Sequence, residues 1–146
     1  MRVDFYQLSR DPVDVTVAKL ARKAMQAGER LVVVSGDAEH REALSNALWG
    51  QGGGAFLAHG NAGEPQEARQ PILLSDHCAA PNEARMAIIA DGVWRDEASA
   101  LARVMLLFAP EGRDAAAELW RRFAADETID NRIFKQDAQG SWREGG

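Results

Sequence analysis

Apolar runs of strand length alternate with amphipathic stretches of helix length along this chain. Val3 to Leu8 reads as a first strand, with Phe5 and Tyr6 on opposite faces because side chains alternate along extended backbone. Pro12 stands where a first helical turn tolerates it. Val13, Val17, Leu20, Ala21 and Ala24 then recur at helical spacing while Lys19, Arg22, Lys23 and Gln26 face away, and Gly28 supplies a stop. Leu31 to Val34 is apolar at every position, the pattern of a strand buried on both faces. Ser35-Gly36-Asp37 turns the chain into a second helix, with Asp37 as N-cap and His40, Leu44, Ala47 and Leu48 on one face. The glycine-rich stretch from Gly50 to Gly54 ends it.

Farther along, Phe56-Leu57 predicts a short strand, and the polar stretch from Gly60 to Arg69 predicts an exposed loop. Ile72 to Leu74, Met86 to Ile89 and Val104 to Phe108 are three more strands, with a short helix over Asp96 to Ala102. The last long helix runs from about Gly112 to Ala125, with Ala115, Ala116, Leu119 and Phe123 as its buried stripe. The tail, Arg132 to Arg143, predicts a terminal hairpin turning at Gln139-Gly140. Strands alternating with helices around an all-apolar second strand predict an α/β fold: a three-layer α/β/α arrangement with a mostly parallel central sheet. No repeat or linker interrupts the pattern, so residues 1–146 are expected to form one domain.

Composition narrows the class. The apolar fraction of 46% and the charged fraction of 27% are those of a soluble globular protein. No apolar run approaches the roughly 20 residues that span a bilayer. Met1 to Asp11 has neither a basic start nor a long apolar segment, so neither a signal peptide nor membrane association is expected. The single Cys78 can form no intrachain disulfide, which points to a reducing, cytoplasmic setting. Lys plus Arg number 17 against 22 for Asp plus Glu, a formal charge of −5. Binding bare nucleic acid draws on a basic surplus, so direct nucleic-acid binding is not expected.

Catalytic patterns fail their own tests. A phosphate loop needs glycines between strand and helix, and the first strand is followed by Ser9-Arg10-Asp11-Pro12; Gly52-Gly53-Gly54 follows a helix instead of opening one. No cofactor is expected. His77 and Cys78 are adjacent, which rarely aims both at one ion or the ring at the sulfur. His40 on the apolar face of its helix reads as a partly buried histidine, and His59 as a loop anchor. Asp37, Glu39 and Glu42 read as an N-cap, a first-turn charge and a solvated face. The expectation is a protein without catalytic residues.

Two surfaces suit partners. Trp49 projects about 140° from Leu44 on the second helix, onto the flank of Glu42 and Ser45, where an aromatic is out of place for a core residue: it is either an exposed binding anchor or a ring that the chain folds back to cover. Trp120 lies about 100° from Leu119 on the last helix, beside Arg113, Ala117, Arg121 and Ala124. One aromatic among cations suits an acidic peptide, the ring wedging an apolar side chain and an arginine holding a carboxylate. The ordinary alternative is a solvated flank on which Glu118 pairs with Arg122.

Several segments, in order, carry a family likeness: Val3-Asp4-Phe5-Tyr6-Gln7-Leu8, Gly28-Glu29-Arg30-Leu31-Val32-Val33, Ala47-Leu48-Trp49, and Phe56-Leu57-Ala58-His59-Gly60 with Ala58 where a proline is usual. Pro71-Ile72-Leu73-Leu74, Pro81-Asn82, Phe108-Ala109-Pro110, Trp120-Arg121-Arg122-Phe123, Lys135-Gln136 and Trp142 follow. From Val3 to Trp142 the chain resembles the chi subunit of the bacterial DNA polymerase III clamp loader. The resemblance implies a non-catalytic accessory subunit that binds the acidic C-terminal tail of single-stranded DNA-binding protein and, in some lineages, a second small subunit, psi. It assigns tail binding to Trp120 and Arg121; a further basic position of that site falls on Ala117, so Arg113, Arg122 or Lys135 is expected to supply the missing cation. The psi-facing aromatics correspond to Trp49 and Phe56, with Leu57 beside them. Two other readings compete: a degenerate nucleotide-binding domain, hydrolase- or helicase-like, and a self-associating protein joined through Trp49 and Phe56.

Overall fold

The computed structural model describes residues 1–50 and 57–145, so Gly52 to Gly54 and Phe56 lie outside the described residues. In chain order the elements are β1 (Arg2–Gln7), α1 (Val13–Gln26), β2 (Leu31–Val34), α2 (Ala38–Trp49), β3 (Gly60–Asn61), β4 (Ile72–Ser75), β5 (Met86–Ile89), β6 (Arg103–Phe108), α3 (Arg113–Ala124), β7 (Asp130–Gln136) and β8 (Trp142–Glu144). The strands form one sheet in the order β3-β4-β2-β5-β6-β1-β7-β8. Every neighbouring pair is parallel except β7 with β8, the predicted terminal hairpin. Gly140, at φ +88°, sits in its turn, where a side chain would be strained.

Crossover handedness distributes the helices. Right-handed connections that run opposite ways along a sheet fall on opposite faces. β1 to β2 and β2 to β4 run toward the β3 edge, and α1 and α2 share one face; β6 to β7 runs toward the β8 edge, and α3 lies on the other. This is the predicted three-layer arrangement. Strand residues divide between the two cores with period two: Tyr6, Val33, Leu74, Ile88 and Met105 pack under α1 and α2. Phe5, Val32, Val34, Ile89 and Leu106 pack on the α3 side. Leu31 to Val34 are fully buried, as a wholly apolar strand in the middle of a covered sheet requires.

The helix ends obey local chemistry. The Asp37 carboxylate accepts the Glu39 N–H at 2.9 Å and caps α2. Gly28, at φ +76°, closes α1, with its N–H donating to the Met25 carbonyl. Among the described residues no helix is long and apolar enough to cross a membrane.

Three expectations are corrected. The polar stretch from Gly60 to Arg69 is not simply a loop: Gly60 and Asn61 pair with β4, and Glu67–Arg69 forms a 3-10 turn. Gly60 is buried so tightly that an added Cβ would lie 2.7 Å from the Gln70 side chain. The helix expected over Asp96 to Ala102 is a 3-10 helix ending at Ala100. On α3, Ala115 is exposed and Leu119 half-buried, leaving Ala116 and Phe123 as its buried contacts.

Candidate functional site

On the α3 side, the sheet and helix do not meet over their whole length. A groove of about 370 Å³ remains between α3 and β7, floored by Phe5 and Phe108. Alternation along the strands supplies both floor and far bank. Phe5 and Gln7 of β1, and Ile133 and Lys135 of β7, point to this side, while Tyr6 and Phe134 point to the other. Ala117 keeps the groove open, because its small side chain fills none of the space beside Trp120.

Trp120 does not stand free in solvent, as its place on the polar flank suggested. It is half-buried, with its ring edge-on to Phe5 at a centroid distance of 5.4 Å. The Trp120 carbonyl accepts from Asn131 Nδ2 at 3.3 Å, tying α3 to the start of β7. The indole is thereby one wall of the groove, with less freedom than an exposed ring has.

Charge distinguishes this groove. Arg113 and Arg121 on α3 and Lys135 on β7 line it, and no Asp or Glu among the described residues does. Among the described residues none of the three makes an ion pair, whereas Arg2, Arg85, Arg95, Arg103, Arg132 and Arg143 each face a carboxylate. In a chain of net charge −5, three unneutralised cations around one apolar slot form a local inversion of the protein's field.

Arg122, also expected here, is elsewhere. It reaches Asp96 at 3.6 Å, lies over the Phe123 ring at 5.6 Å and lines a hollow on the other flank of α3 with Val93 and Trp94. That ion pair is with Asp96; the pairing with Glu118 that helical spacing suggested is not its contact. Trp94, which no periodicity marked, packs edge-on against Phe123 at 4.7 Å. Phe5, Phe108 and Ile133 were also missed as site residues. The one available signal was that Phe5 and Tyr6 must face opposite ways.

The second surface is at the end of α2. Trp49 is 62% exposed, in accord with its helical position, and its ring meets that of His59 edge-on at 5.9 Å. His59 is held by the Leu57 carbonyl at Nδ1 and by Ser45 Oγ at Nε2, each at 2.7 Å, which is the anchoring expected of it. Leu57 turns inward: it is buried in the α1–α2 core, so its expected place on a partner-facing surface is revised. Phe56 lies outside the described residues.

The remaining candidates form no reactive centre. Cys78 is buried, and burial, with Glu97 adding to it, pushes its thiol up to about 11. His77 engages Asp76 at 2.6 Å and Ser75, not the sulfur. Among the described residues no group of three His, Cys, Asp or Glu side chains could hold a metal ion. His40 Nδ1 pairs with Ser35 Oγ at 2.8 Å.

At the crevice between the carboxyl ends of β2 and β5, where open α/β sheets take ligands, the chain supplies its own anion. Asp91 accepts the Gly36 N–H at 2.9 Å and the Val93 N–H at 3.1 Å, and both its oxygens bind Arg95, at 2.7 and 2.8 Å. Burial works against that charge, but Arg95 and the two N–H groups outweigh it and hold the carboxyl below its ordinary range. The amide that a phosphate would use is already engaged.

A family model described as DNA polymerase III chi subunit, HolC, matches residues 1–128. That stretch includes α3 and stops short of β7, which carries Lys135. A protein of Rickettsia prowazekii (strain Madrid E) named "Probable DNA polymerase III subunit chi" is 29% identical over 84 residues, covering 58% of this chain. The match spans about half, 51%, of that relative.

Proposed function

Since the chain belongs to the DNA polymerase III chi subunit family, we propose that it is a non-catalytic accessory subunit whose α3–β7 groove binds the acidic C-terminal tail of single-stranded DNA-binding protein. The observation that carries this reading is the groove's inverted charge: Arg113, Arg121 and Lys135 surround the half-buried Trp120, with no carboxylate on the lining. An acidic peptide ending in phenylalanine complements each part. Its ring enters the slot against Trp120, Phe5 and Ile133; its terminal carboxylate and acidic side chains take the cations in charge-assisted hydrogen bonds. Ala117 removes one basic position of the family's site. Arg113, nearly in line with Trp120 two helical turns earlier, and Lys135, on the far bank, are the replacements that line the slot. Arg122 is not one of them.

Trp49 is proposed as the contact for a further subunit such as psi, together with Phe56. A large exposed aromatic at a helix end is the side-chain type that dominates binding hot spots. Joining the clamp loader through one surface and coated single strands through the other would make the chain an adaptor in the bacterial cytoplasm. The nucleotide-binding reading gains no support from the β2–β5 crevice, whose anion position Asp91 fills.

Calorimetry tests the proposal. Single-stranded DNA-binding protein is expected to bind the full chain and to lose that binding when its last residues are removed. Arg121→Glu is expected to raise Kd at least about tenfold, the worth of one charge-assisted hydrogen bond, with no fall in melting temperature. Unchanged affinity in that variant would remove the groove from consideration.

A further inference from the structure

Four neighbouring strands are led by arginine. Arg30 precedes β2, Arg85 precedes β5, Arg103 opens β6 and Arg2 opens β1, in the sheet order β2-β5-β6-β1. Register sets Arg2 beside Arg103, and Arg103 beside Met86, the residue after Arg85. Strands lie about 4.8 Å apart, so one edge of the sheet carries guanidinium-bearing side chains at that interval. Arg30 is spent on the carbonyls of Ala68 and Asn82. The other three line a cavity of about 550 Å³ on the α1 face, the side of the sheet away from the peptide groove.

The cavity has a charged end and an apolar floor. Asp4, wholly buried, takes Arg2 at 2.8 Å and Arg103 at 2.7 Å on its two oxygens, and Glu29 takes Arg85 at 2.7 Å. Lys23, on the last turn of α1, lines the same space and makes no ion pair among the described residues. Four cations against two carboxylates leave a surplus of two positive charges. The floor is Leu20, Met86, Met105 and the ring of Phe134, which stacks on Tyr6 at 4.9 Å. Thioether side chains adapt to flat or irregular bodies, and the volume is that of sites that enclose small ligands.

We propose that this cavity is a binding site for a small organic phosphate monoester, its phosphate on Lys23, Arg85 and Arg103 and its apolar body against Met86, Met105 and Phe134. A phosphate monoester carries nearly two negative charges at neutral pH and several strong acceptors, matching the charge surplus and a rim on which Lys23, Arg2, Arg85 and Arg103 outnumber the Glu29 carboxylate. A cation meets repulsion there. A neutral apolar molecule leaves the surplus unused. A volume of about 550 Å³ favours a small ligand over a strand of nucleic acid.

The test follows the methionine methyl signals of the full chain by NMR during titration with 1-naphthyl phosphate. Met86 and Met105 are expected to shift saturably, inorganic phosphate to bind about tenfold more weakly or less, and 1-naphthol to leave both methyls in place. Lys23→Ala and Arg85→Ala, both at exposed side chains, are each expected to raise Kd about tenfold with the unliganded melting temperature unchanged. Arg121→Glu, in the other groove, is expected to bind as the parent does, so failure of the peptide proposal and of this one are separable. Methyls unmoved at millimolar ligand, 1-naphthol binding as well as its phosphate, a single-stranded oligonucleotide binding more tightly than either, or unchanged affinity in the Lys23→Ala, Arg85→Ala double variant would each overturn the proposal.

Discussion

Trp120 touches Phe5 with one edge and the groove with another, so replacing it acts on packing and on the proposed recognition together. The cations around it separate the two effects, because they line the slot and hold nothing else through an ion pair. Ala117 gives the sharpest test among single residues. Ala117→Arg places a fourth cation beside Trp120, and calorimetry is expected to show the acidic peptide binding several-fold to about tenfold more tightly. Arg122→Glu is expected to leave that affinity within about twofold, since its side chain faces Asp96 on the opposite flank. Helical spacing made Arg113 and Arg121 legible, because they fall within about 100° of Trp120. The same spacing puts Arg122 about 200° round the helix from Trp120, on the far flank, although it is adjacent to Arg121 in sequence. Trp94 was illegible for a different reason: it lies in an irregular segment, where no period relates a residue to a face.

At the scale of elements, the groove depends on β7 lying beside β1, and Gln136 fastens that end of β7. Its Oε1 accepts the Arg10 and Asp11 N–H groups at 3.1 and 3.0 Å, and its Nε2 donates to Asp11 Oδ2 at 2.8 Å and to the Gly140 carbonyl at 3.1 Å. Gln136→Ala strands two backbone donors in a part-buried site. It is expected to cost roughly 1–3 kcal/mol in chemical denaturation and to speed amide exchange in β7 and β8 more than in α1. Exchange unchanged, or sped up equally in every element, would show that Gln136 holds no such position. The hydrophobic pattern revealed elements that bury side chains: the all-apolar β2, the α1 stripe ending at Gly28, and the terminal hairpin with its glycine turn. It missed β3, because two residues that join a sheet through backbone hydrogen bonds need no apolar side chain to do so. The Asp96 segment was read as an ordinary helix because helical and 3-10 turns share much the same composition.

For the whole molecule, the carboxyl end of the sheet and the groove on its α3 face differ in how charge is used. The carboxyl-end crevice is sealed by the chain's own Asp91–Arg95 pair, and this makes stability depend on acid. A carboxyl held below its ordinary value contributes fully above roughly pH 4, and the contribution is lost as pH falls through the depressed folded value. Asp91→Asn is therefore expected to melt lower than the parent at pH 7, with the gap narrowing below about pH 4; a constant gap from pH 7 to pH 3 would contradict that role. The α3–β7 groove, by contrast, holds Arg113, Arg121 and Lys135, which make no ion pair among the described residues of an acidic protein, and the partner proposed for them is an acidic peptide. The most direct measurement is a chemical-shift titration of the full chain with a synthetic acidic peptide ending in phenylalanine. The expected result is a saturable shift of the Trp120 indole N–H with the amides of Arg113, Ala117, Arg121, Ile133 and Lys135. Shifts absent from these positions, or gathered around Trp49 instead, would contradict it.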